Sequence, residues 1–130
     1  MERARVNFTI QLTPPSANHY KVPTRRELDD GRRIFTYTPE TKAWFDAVAY
    51  AVRGKTIAGD RLCVEFCVYR GKGERGDLDN YAKCILDGLV KAKVFRNDDS
   101  VVEMHSYKER DRDNPRTEIQ ITEVLPDGTN

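Results

Sequence analysis

The chain is poor in the residues that carry redox or soft-metal chemistry. It has three cysteines, Cys63, Cys67 and Cys84, and no two of them are spaced as Cys-x-x-Cys. Neither a disulfide framework nor a zinc knuckle is therefore indicated, and the expected role of all three is that of small buried residues. The only imidazoles, His19 and His105, lie far apart in sequence. That argues against a histidine-rich transition-metal site and directs any metal to oxygen ligands, which means magnesium or manganese. No stretch approaches the ~20 apolar residues needed to span a bilayer. Met1-Glu2-Arg3-Ala4-Arg5 leads into a strand pattern instead of an apolar signal region, so a cytoplasmic location is expected. Net charge is lacking too: at +1 the chain has no global attraction for nucleic acid.

What is present is local. With 38% hydrophobic and 33% charged residues the 130-residue chain can bury a core beneath a wet, charged exterior. Its length suits one domain covering 1–130. Basic residues cluster as Lys21, Arg25, Arg26, Arg32 and Arg33, as Arg70, Lys72 and Arg75, as Lys91, Lys93 and Arg96, and as Lys108, Arg110 and Arg112. Composition alone reads these as solvated loops, although counterion release rewards such clusters and not totals.

Val6, Phe8, Ile10 and Leu12 alternate with polar residues, the period of a strand with one buried face. Pro14-Pro15-Ser16 stops it. A polar, basic, hairpin-like arm follows over about 18–33, with an Asp30-Gly31 turn signal and an extended pattern resuming from Arg32 to Tyr37. Thr38 can cap a helix with Pro39 at its first position, and Trp44, Val48, Ala51 and Val52 supply its apolar stripe until Gly54. A second strand alternates through Leu62, Val64, Phe66 and Val68 into a glycine-rich charged loop. Ala82, Ile85, Leu86, Leu89 and Val90 then mark a helix over about 79–92. Ser100 to Lys108 and Thr117 to Val124 read as closing strands, and the tail from about Pro126 is expected to fray. The pattern predicts an α+β fold, two main helices packed on a small mixed sheet.

The densest chemical signal is Gly76-Asp77-Leu78-Asp79-Asn80. In an extended segment, residues spaced by two point the same way. Two clustered carboxylates repel unless a cation sits between them. The competing reading is a helix N-cap, and one cap needs only one aspartate. Lys83 lies four residues after Asp79, on the same helix face. That is either an ordinary exposed pair worth ~0.2 to 0.5 kcal/mol or an ammonium beside a metal-bound phosphate. A third carboxylate comes from Asn97-Asp98-Asp99, a loop at the far end of the second helix, where a tight turn is the plain alternative.

At these residues the sequence resembles the RusA family of Holliday-junction resolvases. The match runs through Asp77-Leu78-Asp79-Asn80, Lys83, Asp87 and Leu89, then Val94-Phe95 and Asn97-Asp98-Asp99-Ser100-Val101-Val102. Upstream, Pro14-Pro15-Ser16-Ala17-Asn18-His19-Tyr20 and Thr38-Pro39-Glu40 resemble two further family motifs in the family's order. The resemblance implies that Asp77, Asp79 and Asp99 are the catalytic, metal-holding aspartates and converge in space. It implies Lys83 as the catalytic lysine, with Asp98 an adjacent acid of unassigned role. Where family members carry a basic residue before the first aspartate, this chain has Gly76, and Arg75 is the candidate replacement. The family's DNA-contacting arm lysine has no single counterpart here, so Lys21, Arg25, Arg26, Arg32 and Arg33 are all candidates.

The resemblance further implies a Mg²⁺-dependent endonuclease, with Mn²⁺ as a substitute, that makes paired nicks in four-way DNA junctions as a homodimer. Two opposed cuts in a two-fold symmetric substrate suit an isologous pair. Competing classes are a non-catalytic branched-DNA binder, which would bind without cutting, and a metal-dependent nuclease for flaps or single strands.

Overall fold

The computed structural model describes residues 3–126, and the end of the expected frayed tail, 127–130, lies outside them. The elements are β1 (Arg5–Ile10), β2 (Lys21–Glu27), β3 (Arg33–Tyr37), α1 (Pro39–Val52), β4 (Leu62–Arg70), α2 (Leu78–Lys91), β5 (Val101–Arg110) and β6 (Arg116–Glu123). Four strands form one sheet in the order β1-β6-β4-β5, and β2 pairs with β3 alone as the arm. β6 runs antiparallel to β1 and β4, whereas β4 and β5 are parallel. The sheet is therefore mixed and the fold α+β, as the sequence pattern predicts.

The alternation in β4 does the organising. Leu62, Val64, Phe66 and Val68 are all but fully buried on one face, and β6 adds Ile119 and Ile121 beside them. The two helices cover that face with Trp44, Val48 and Val52 from α1 and Ile85 and Leu89 from α2, within one hydrophobic cluster. Val94 and Phe95, just past the end of α2, are drawn into the same core. β1 ends at Ile10, two residues short of the alternating pattern, and Leu12 is exposed. Its carbonyl is engaged from the side by the Thr117 hydroxyl at 2.8 Å, ahead of Pro14 and Pro15. No helix among the described residues is long and apolar enough to cross a membrane.

α1 starts where its signals lie: Thr38 is extended and its hydroxyl accepts from the Thr41 amide at 3.2 Å. Arg53 ends the helix in the left-handed region, φ 44°, and Gly54 continues at φ 80°. The two helices meet at Gly88, where a Cβ would stand 3.1 Å from Val48 Cγ2 and 3.3 Å from Trp44 Nε1. Beside it the Trp44 indole donates to the Cys84 carbonyl at 3.0 Å. Both neighbours are fully buried and have nowhere to retreat. Gly88→Val is thus expected to cost about 2 to 3 kcal/mol by overpacking, read as a lower urea midpoint. An unchanged midpoint would show that the helices separate freely.

Candidate active site

β4 delivers the chain into the loop 71–77, and that loop is held from β5. Arg110 Nη1 donates to the carbonyls of Gly71 at 2.5 Å and Glu74 at 3.2 Å, and Lys108 Nζ to that of Gly76 at 3.3 Å. Glu74 closes the loop on itself by accepting from the Gly71 amide at 2.8 Å, and the Thr13 hydroxyl also donates to it. Gly76 is dictated by packing: a Cβ there would lie within 2.6 Å of three atoms of the buried Tyr81 side chain, its hydroxyl oxygen among them. No larger residue, basic or otherwise, fits before Asp77 without moving Tyr81. Cations beside that point include Arg75, exposed in the loop, and Lys108, which donates to the Gly76 carbonyl. In the sequence Lys108 and Arg110 stand out only as part of a charge cluster, because nothing there reveals that β5 lies beside this loop.

Asp77 occupies the N-cap position of α2 in extended conformation, φ −94° and ψ 148°, and Asp79 sits in the first helical turn. The expectation of one extended segment projecting both side chains alike is corrected: the helix begins at Leu78, between them. They are still neighbours at one helix end. Asp77 makes no side-chain cap bond, so the capping alternative is not realised. Both carboxylates are exposed, and among the described residues neither accepts a hydrogen bond or forms an ion pair. Nor does Lys83 pair with Asp79; its ammonium lies 5.4 Å from the Tyr20 ring centroid.

The Pro14-to-Tyr20 segment lies along α2. Asn80 Nδ2 donates to the Pro15 carbonyl at 3.1 Å and the Tyr20 hydroxyl to Asp87 Oδ2 at 2.5 Å. Tyr20, Tyr37 and Phe45 form an edge-to-face cluster with centroids 5.0 to 6.2 Å apart, which roots the arm on α1. From that root β2 and β3 extend as a bulged hairpin closed at Gly31, φ 87°. Lys21, Arg25, Arg26, Arg32 and Arg33 are all exposed on it, Arg32 being bonded to Asp30 at 2.5 Å.

Asp99 stands elsewhere. Because β5 is parallel to β4, Val101 pairs with Leu62 at the start of β4, while Asp77 follows the end of β4. The 14 residues of α2 lie between, about 21 Å at 1.5 Å per residue. Within one chain Asp77 and Asp79 thus stand at the start of α2 and Asp99 beyond its far end. Asn97 Oδ1 accepts from the Asp99 amide at 2.9 Å, so the turn is built by Asn97 and leaves the carboxylates of Asp98 and Asp99 exposed. Asp98 lines a groove with Tyr37, Asp87 and Lys91, a groove that Asp99 does not line.

With this geometry in place, comparison with known families is decisive: the sequence profile of endodeoxyribonuclease RusA matches residues 4–122. The chain belongs to the RusA family. Its match spans every element from β1 to β6, so RusA membership covers the helix start, the arm and the far loop alike. No curated protein shows a significant match to the chain. RusA membership establishes the chain as an endodeoxyribonuclease by family, of the kind that resolves Holliday junctions in DNA recombination.

Burial first, and then donation to Asp87, raise the Tyr20 phenol well above its ordinary value. Folding therefore favours the protonated phenol. That stability is complete below the unfolded value of about 10 and is lost as pH climbs from there towards the higher folded value. Tyr20→Phe should lower stability by about 1.5 to 3 kcal/mol at neutral pH by stripping Asp87 of its donor. It should also flatten the loss above pH ~10. Denaturation curves at pH 7 and in the alkaline range check both; identical alkaline losses in the two proteins would refute the assignment.

Proposed function

We propose that the protein is a Mg²⁺-dependent, homodimeric junction resolvase, acting through Asp77, Asp79, Asp99 and Lys83 in a single cytoplasmic domain. The observation that carries this reading is the pair of exposed carboxylates at the start of α2, without a partner among the described residues, in a RusA-family chain. Hard, anionic and free of competing donors, these oxygens fit a divalent cation of the magnesium class, with manganese as substitute. Such an ion, when bound, supplies charge against the transition state and acidifies its water.

The chain's own residues do the rest. Asp77 and Asp79 hold the ion, and Lys83, which has no carboxylate partner among the described residues, is available to a phosphate oxygen. Arg75 flanks the aspartates, while the arm offers Lys21, Arg25, Arg26, Arg32 and Arg33 to the DNA backbone. Asp99 lies too far away to join its own chain's aspartates. A second copy related by a two-fold axis supplies it in trans, so that each of two sites draws on both chains and the pair makes the two opposed cuts.

Asp77→Asn, Asp79→Asn and Asp99→Asn should each lower junction cleavage in Mg²⁺ by at least about a hundredfold while preserving folding and junction binding. Asp98→Asn should cut, and Lys83→Ala should impair cutting more than binding. Mixing Asp79→Asn with Asp99→Asn protein distinguishes the arrangements: a site shared between chains regains one intact centre per mixed dimer and nicks one strand. If all the aspartate variants cut normally the site does not exist, and if the mixture stays dead the sites are not shared. Binding without cutting by the unmodified protein would instead favour a non-catalytic junction binder.

Neutralising Arg75, or the Arg25-Arg26 or Arg32-Arg33 pair, should weaken junction binding and flatten its salt dependence by about one unit of logarithmic slope per lost phosphate contact. Titration of a labelled junction at several salt concentrations measures this. An unchanged slope removes the residue from the interface.

A further inference from the structure

The face of the sheet turned away from the helices carries a second set of donors. Leu62 and Val64 point into the core, so Cys63 and Glu65 point outward on β4. The register with β5 slips between Leu62 and Cys63, which pair with Val101 and Glu103, leaving Val102 unmatched. A one-residue bulge re-aims every side chain after it. Without it Val102 would lie beside Cys63 and His105 would turn to the helix side. With it, Glu103 stands opposite Cys63 and His105 opposite Glu65, all on the outer face.

The ligand atoms of Cys63, Glu103 and His105 lie within 4.8 Å of one another, and His105 Nε2 is 2.8 Å from Glu103 Oε1. The cysteines also depart from expectation here: only Cys84 is buried, its thiol pushed up to about 12 by burial, while Cys63 and Cys67 are half-exposed. Burial, then Glu103 and Glu65, raise the Cys63 thiol. A cation at this point would offset both carboxylates.

We propose that Cys63, Glu103 and His105 form a binding site for one borderline-soft divalent cation of the zinc class, with Glu65 placed to complete it. A sulfur, an imidazole nitrogen and a carboxylate oxygen are the donors such an ion takes in four-coordinate sites, and they disfavour magnesium. Binding replaces the Cys63 S–H bond with a sulfur–metal bond and releases the proton to solvent. The site is separate from Asp77 and Asp79. It clamps β4 to β5 across the bulge, through residues four and six places after Asp99, and so fixes the start of the strand that follows Asp98 and Asp99.

Co²⁺ serves as the probe, added to the metal-free full chain. One equivalent should produce thiolate-to-cobalt absorption in the near ultraviolet and tetrahedral bands in the visible, displaced by Zn²⁺ and untouched by excess Mg²⁺. Cys63→Ser should abolish the thiolate band with circular dichroism unchanged. Cys67→Ser, which removes a thiol from the same face, and Asp79→Asn should keep it. His105→Ala and Glu103→Gln should weaken binding at least about tenfold. The proposal is overturned if the unmodified chain gives no thiolate band, if the band survives in folded Cys63→Ser, or if Cys67→Ser abolishes it.

Discussion

Adjacent strands that run the same way cannot be joined by a tight turn, because the chain must travel back the length of the sheet between them. β4 and β5 are such a pair, and α2 is the connection. Most of what is distinctive in this molecule follows from that requirement. The chain leaves β4 at one end of the sheet and there places Asp77 and Asp79; it returns at the other end and there places Asp98 and Asp99. The end of β5 comes back beside the first of these points, which is why Lys108 and Arg110 hold the loop before Asp77.

The segment from Pro14 to Tyr20 gains its meaning from the same helix. Asn80 and Asp87 receive it along α2, and Tyr20 passes the contact to Tyr37 and Phe45 at the root of the arm. Thr38 works on both sides of that junction, accepting from the first turn of α1 and donating to the His19 carbonyl. A two-stranded ribbon has little stability alone. This one borrows it from an aromatic cluster that the helices support.

Periodicity made the elements legible because it reports which side of a segment meets apolar neighbours. Leu62 to Val68 announce a strand, and Thr38-Pro39 marks a helix start, to within a residue or two. Partners are another matter. Alternation in β4 is equally compatible with β5 running either way, and only the parallel choice separates Asp99 from Asp77. The bulge at Val102 leaves no mark in a strand rich in charged residues, so the outward turn of His105 could not be read. Gly76 looked like a missing basic residue; the structure shows a position closed by Tyr81, five residues later and one helical turn up. The residue types at the site were visible in the sequence, whereas their distances depended on strand pairing.

Under the proposed site, a chain whose helix α2 stands between its two groups of carboxylates has an incomplete cutting edge by itself. Under the proposed pairing, working centres in dilute solution grow with the square of chain concentration, as mass action requires. Under that arrangement a stray or newly made copy would meet DNA without cutting it. Length of helix then acts as a safety catch, released only by company.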